Sequence, residues 1–240
     1  MWSHTRSLEL LVLASTVAPA ELIRVATAFG PAAGAAAGAD RGRAARWGTL
    51  GAPAAYLAVT ALAVAVAADG GFTPAALTGW RAGAPWLVPA VLVGVVLVGA
   101  EFAVGAVPGL LDGTGLPRLA VHLGGPVGGG YAASILSTAV AEELLYRGLW
   151  IGVLHERLRL PVGAAVAVAA VAYAAGHLFF GGLAVVQKTL SGTVFGLLLV
   201  GSGSLAVPLV AHLAQNATVL ALAVRQERGE RATGGREAVG

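Results

Sequence analysis

Five stretches of this chain run without a single Asp, Glu, Lys or Arg: between Arg46 and Asp69, Arg81 and Glu101, Arg118 and Glu142, Arg159 and Lys188, and Lys188 and Arg225. About 20 apolar residues cross the hydrocarbon core of a bilayer as a helix, so stretches of this length read as spans. The last is too long for one helix, and it breaks at Gly201-Ser202-Gly203-Ser204, with Pro208 shortly after. The pattern predicts helices near 48–68, 85–107, 127–154, 162–180, 184–200 and 205–224. A further apolar segment near 8–28 contains Glu21 and Arg24. Apolar character resumes after Arg24, which favours an uncleaved first span over a signal peptide ending near Ala18-Pro19-Ala20. The runs are continuous, without the two-residue alternation of a membrane barrel. The expectation is an all-α, polytopic membrane helix bundle of about seven transmembrane helices.

Composition sharpens this picture. Hydrophobic residues make up 57% of the chain and charged residues 11%, against roughly 25% charged in soluble domains. Too few charges remain to cover a water-facing surface, and the hydrophobicity is far too high for disorder. The 35 Gly are scattered through Ala/Val/Leu-rich runs, where small residues let membrane helices approach closely. The net charge of +3 comes from Arg beside apolar segments and reads as topology, with no nucleic-acid partner. Arg41, Arg43 and Arg46 mark one connection as cytoplasmic, and Arg225, Arg228, Arg231 and Arg236 do the same for the C-terminal tail. Arg157 and Arg159 then fall on the opposite side, against the rule. The chain has no Cys, which excludes a Cys nucleophile, thiolate metal ligands and disulfides.

Ionisable groups inside spans cost on the order of 3 kcal/mol each and mark candidate sites. Three clusters lie in the C-terminal half. In the first, Glu142-Glu143-Leu144-Leu145-Tyr146-Arg147, Glu143 and Arg147 are four apart and share a helical face, so they can form an ion pair. Glu142 lies about 100° around the helix, with no cation at the same spacing, and is free to exchange protons. The alternative is a helix end solvated at the lipid headgroups. In the second, Tyr173 and His177 are four apart and can meet on one face, with an interfacial, hydrogen-bonded His as the alternative. In the third, His212 and Asn216 are again four apart. That spacing also suits a polar pair gluing two helices, a contact worth about 1 kcal/mol.

Together an unpaired Glu, two His and an Asn can activate water and hold the oxyanion that develops on a scissile carbonyl. No Ser/His/Asp order is convincing, and the zincin motif with two His and a Glu on one turn is absent. These residues, in this order, resemble the CPBP (CAAX-processing and bacteriocin-processing) intramembrane protease family, also described as type II CAAX prenyl endopeptidase-like. The pattern is a Glu-Glu pair with Arg four beyond the second Glu, an aromatic four before a His, and a His four before Asn. Here it reads Glu142-Glu143…Arg147, Tyr173…His177 and His212…Asn216. Tyr173 stands where the family usually has Phe, which keeps the ring and adds a hydroxyl.

The resemblance divides the chain into N-terminal membrane helices at 1–124, a protease-like core at 125–225, and a polar, disordered tail at 226–240. It implies a multi-pass endopeptidase of the cell membrane with a polar intramembrane cavity, surrounded by lipid and acting on a peptide or protein substrate. Glu142 would activate the attacking water, His177 would help to position it, and His212 and Asn216 would form the oxyanion site. Glu143 and Arg147 would be the structural pair, with Tyr173 in support. The resemblance leaves open a metal-free, glutamate-activated water and a divalent metal such as zinc, which would be held by His177, His212 and Glu142. Two readings of another class remain: a proton- or ion-coupled transporter, and a non-catalytic immunity or scaffold protein on the same helices. Inverted repeats would favour the transporter, and none is visible.

Overall fold

A computed structural model of the chain describes residues 13–14, 16–17, 41–69, 71–114 and 128–237. Among these residues the secondary structure is helical throughout, with no strand. The helices are α1 (Arg41–Asp69), the short α2 (Ala75–Thr78), α3 (Ala84–Leu111), α4 (Gly129–Glu142), α5 (Val162–Ala175), α6 (Gly182–Ser202) and α7 (Ala206–Glu237). Apart from the first expected span, near 8–28, which lies largely outside the described residues, each predicted segment contains or overlaps one of these helices. Three helical stretches, Ala84–Leu111, Gly182–Ser202 and Ala206–Glu230, are long and apolar enough to cross a membrane. Pro53–Asp69 and Val162–Ala175 are shorter apolar helices. Val88, Val96, Val171, Val186 and Leu197 lie exposed on α3, α5 and α6, an apolar outer surface suited to lipid and not to water.

Two boundaries differ from the sequence pattern. The segment expected to run to 180 stops at Ala175, and a turn carries His177 into a short 3-10 turn at Leu178–Phe180. The tail expected to be disordered from 226 continues the helix of α7 to Glu237. Arg, Gln and Glu are good helix formers, and Gln226 Nε2 donates to Glu230 Oε1 at 3.2 Å, one turn on.

Close helix crossings build the bundle. At Gly94 on α3 a Cβ would run into the carbonyl of Ala211 on α7, and at Gly192 on α6 it would meet Tyr173 Cδ1 at 3.0 Å. Trp86 of α3 lies near Gly201 of α6, while Gln187 lies against Gly105, so α3 and α6 run antiparallel. The break at Gly201–Ser204 is a left-handed cap at Gly203, with φ 66°, a conformation that costs Gly least. It turns the chain from α6 into α7.

From Glu143 onward α4 widens into π-helical turns, Glu143–Trp150 and then Val153–Arg157, a geometry frequent at functional sites. In this stretch Tyr146 Oη donates to the Val17 carbonyl at 2.9 Å, and Trp150 Nε1 donates to Thr16 Oγ1 at 2.7 Å. The four-residue α2 packs on it at Gly148 and Gly152, where a Cβ would strike Leu77 and Pro74.

Candidate active site

Glu142 and Glu143 stand where α4 passes into the π-helical stretch. Neither is solvated at a helix end: Glu142, Glu143, Arg147 and His212 are 6%, 1%, 1% and 2% exposed. Glu143 Oε1 lies 3.1 Å from Arg147 Nη1, the pair that the spacing predicts. Arg147 Nη2 donates to the Gly192 carbonyl of α6 at 3.1 Å. Its guanidinium carbon also lies over the ring of Tyr173 at 4.6 Å and that of Phe195 at 5.2 Å. Three helices thus meet on one buried cation.

Glu143 has a second partner that local spacing does not reveal. Its Oε1 lies 2.8 Å from Nδ1 of His212 on α7. An ionised carboxylate only accepts, so Nδ1 carries the proton and donates. The other ring nitrogen, Nε2, lies 3.8 Å from Glu142 Oε2. The two adjacent carboxylates therefore flank one imidazole, one at each nitrogen. Phe195 of α6 stacks on the ring with centroids 4.8 Å apart, which fixes its plane.

His177 joins the set through Tyr173. The Tyr173 ring meets His177 edge-on at 5.1 Å and His212 at 6.0 Å, so it sits between them. His177 Nδ1 lies 3.2 Å from the Tyr173 carbonyl. A carbonyl only accepts, so this nitrogen too carries its proton and Nε2 is left for other work. Asn216 lies one turn beyond His212 on α7, partly buried. The structure brings Glu142, Glu143, Arg147, Tyr173, His177 and His212 into one linked cluster. Asn216 adjoins it on the helix of His212.

One neighbouring pair went unread in the sequence, where Glu101 and Lys188 served only to bound uncharged stretches. Lys188 Nζ donates to both oxygens of Glu101 at 2.9 and 3.1 Å, and Gln187 Nε2 donates to the Glu101 carbonyl at 2.6 Å. This clamps α6 to α3. Lys188 lies one turn before Gly192 on α6 and is within electrostatic reach of Glu142 and His177.

Among the described residues no three His, Cys, Asp or Glu side chains gather closely enough to hold a metal ion. His212 and His177 turn Nδ1 to Glu143 and to the Tyr173 carbonyl, which leaves Nε2 of each as the nitrogen that a metal, if bound, would use together with Glu142.

Comparison with known families bears on this arrangement. Residues 128–218 match the family model described as type II CAAX prenyl endopeptidase Rce1-like. That segment is Rce1-like. It contains Glu142, Glu143, Arg147, Tyr173, His177, His212 and Asn216, and it agrees with the resemblance that the three motifs carry. The Rce1-like family is one of membrane-embedded peptidases, so the segment implies a peptide or protein substrate and a lipid environment. No curated protein and no solved structure matches the chain.

Proposed function

We propose that this chain is a multi-pass intramembrane endopeptidase in which Glu142 activates the attacking water and His212 and Asn216 hold the oxyanion. The observation that carries the reading is the His212 ring, with Glu143 on one nitrogen at 2.8 Å and Glu142 facing the other at 3.8 Å. The longer separation exceeds a hydrogen bond, and a water can bond to both groups across it.

Charge balance defines the working forms. With Glu143 and Arg147 ionised, the buried set is neutral in two arrangements. In one, Glu142 is ionised and His212 carries both ring protons. In the other, Glu142 is protonated and His212 carries only its Nδ1 proton. Neutrality matters because an uncompensated buried charge is costly.

In the first arrangement Glu142 takes a proton from water, and the hydroxide attacks the scissile carbonyl carbon. The oxyanion that forms accepts from His212 Nε2–H and from the Asn216 amide. Glu142 then gives its proton to the departing amide nitrogen as the C–N bond breaks, leaving a carboxylic acid and an amine. The step needs His212 protonated on both nitrogens, because an imidazole protonated only at Nδ1 offers Nε2 as an acceptor, and Glu143 orients the ring by accepting from Nδ1. His177 Nε2 positions the water. No step is routed through a metal.

The test uses the purified full chain in proteoliposomes with a farnesylated, dye–quencher-labelled CAAX peptide, and cleavage is followed by fluorescence and mass spectrometry. His212→Phe keeps the stacked ring but loses the donor, and Asn216→Leu loses the amide. Each is expected to lower kcat by about 10²–10³-fold, the usual cost of one oxyanion donor. Turnover at the parent rate in either variant removes that residue from the oxyanion site.

A further inference from the structure

Among the described residues the core holds a side-chain amide with no hydrogen-bond partner. Gln215 of α7 is 1% exposed, yet neither its Oε1 nor its Nε2 has a hydrogen-bond partner. Glu143 Oε2 and Arg147 Nη1 are also buried without a hydrogen bond, yet each of those side chains bonds through another atom, as Gln215 does not. The hydroxyls of Thr189, Thr193, Ser202 and Thr218 each donate to a carbonyl of the preceding turn, and Gln187 reaches Glu101. A carboxamide has two donors and a carbonyl oxygen with two lone pairs. Leaving these unpaired in an apolar interior is among the costlier defects a core can carry. Leu would fill a similar volume without that cost.

Its position on α7 shows what the amide adjoins. Each residue turns a helix by 100° and advances it by 1.5 Å, so His212, Gln215 and Asn216 fall within about 100° of arc and about 6 Å of axis. His212 is stacked on Phe195 of α6. The chain turns back at Gly203 between α6 and α7, and Phe195 before the turn stacks on His212 after it, so the two helices run antiparallel and the step from His212 to Gln215 moves from the level of Phe195 toward that of Gly192. Gly192 is where Arg147 and Tyr173 meet α6. Gln215 is therefore an unpartnered amide one turn from His212, at the depth of the catalytic cluster.

A carboxamide is the complement of a peptide group, since each offers one carbonyl and an N–H in one plane. We infer that Gln215 binds the substrate main chain, pairing its Oε1 and Nε2 with the N–H and C=O of a peptide group adjoining the scissile bond. This rests on the peptidase reading above and adds to it a residue that grips the backbone whatever the side-chain sequence. The energy withheld in the free protein is released when the peptide docks, so the amide trades stability for substrate binding.

Two measurements on the purified full chain test this. The first needs no substrate. Gln215→Leu removes the unpaired amide and is expected to raise the thermal unfolding midpoint by a few degrees. A fall of several degrees shows a structural partner and overturns the inference. The second compares the farnesylated CAAX peptide with analogues in which an ester replaces the peptide group one residue before or after the scissile bond. For the parent protein, one ester is expected to lower kcat/KM about tenfold or more. Gln215→Leu is expected to lose a similar factor on the all-amide peptide, mainly in KM, and to treat ester and amide alike. Equal ester penalties in parent and variant overturn the inference. If the parent cleaves none of these peptides, the unfolding midpoint decides alone. Glu142→Gln reports separately on the peptidase reading: full activity there refutes the base without changing the Gln215 midpoint.

Discussion

Glu143→Leu removes the carboxylate that touches both Arg147 and His212, at 3.1 and 2.8 Å. Arg147 is 1% exposed and, among the described residues, keeps the Gly192 carbonyl and two aromatic faces as partners. Breaking a buried pair by deleting one member costs about 3–5 kcal/mol, because a charge is left uncompensated. For a chain of this size about 2–4 °C of unfolding midpoint accompanies each kcal/mol. The single variant should therefore melt roughly 6–20 °C below the parent. Replacing both partners, Glu143→Leu with Arg147→Met, removes the stranded charge and should restore most of that loss. Turnover should not return with stability, because His212 still lacks the carboxylate on Nδ1 that orients its ring. A deficit on the order of 10²-fold or more is expected, as when an orienting carboxylate is removed from behind a catalytic His. Midpoints follow from tryptophan fluorescence in detergent, and turnover from the quenched peptide in proteoliposomes. An unchanged midpoint in the single variant refutes the ion-pair account, and parental turnover in the double variant refutes the link from Glu143 to His212.

Further expectations use the same assays. Tyr173→Phe keeps the ring between His177 and His212 and should retain turnover within a few-fold, whereas Tyr173→Ala should cost about 3–5 kcal/mol of stability and most activity. Equal behaviour of the two would remove the ring from its role. Lys188→Met or Glu101→Gln alone should each cost about 1 kcal/mol or more, since this pair is 22% and 14% exposed. The double substitution should recover the difference, and additive losses would show that the two do not act as a pair. Gly94→Ala places a Cβ against the Ala211 carbonyl and should lower stability by about 1–3 kcal/mol. A parental midpoint there would argue against the close crossing of α3 and α7.

What the sequence discloses and what it hides divide along a physical line. Charge-free runs mark helices because the bilayer penalises ions and unpaired backbone groups alike. The Glu143–Arg147 and Tyr173–His177 contacts are legible because residues four apart meet on a helix whatever the rest of the chain does. The bond from Glu143 to His212 joins residues 69 apart, and that from Lys188 to Glu101 joins residues 87 apart. Neither has a period to betray it, since both depend on which helices cross and at what level. The widening of α4 at Glu143 is hidden for a related reason. Apart from Gly148, which weakens any helix equally, Glu-Leu-Leu-Tyr-Arg-Gly-Leu-Trp suits an ordinary α-helix, and the π-helical turns accompany the docking of α2 and of Thr16 and Val17. At 226–237 polarity suggested disorder, yet the same Arg, Gln and Glu residues extend α7.

The central claim is that one carboxylate, Glu142, withdraws the proton from water. Glu142→Gln changes a single atom type in the side chain and leaves Glu143, Arg147 and His212 in place. The most direct measurement is its turnover on the quenched peptide beside its unfolding midpoint. The account predicts cleavage lowered by at least about 10³-fold, in line with loss of a general base and its proton return, with a midpoint at or above that of the parent. Cleavage at the parental rate by a folded Glu142→Gln protein would contradict it.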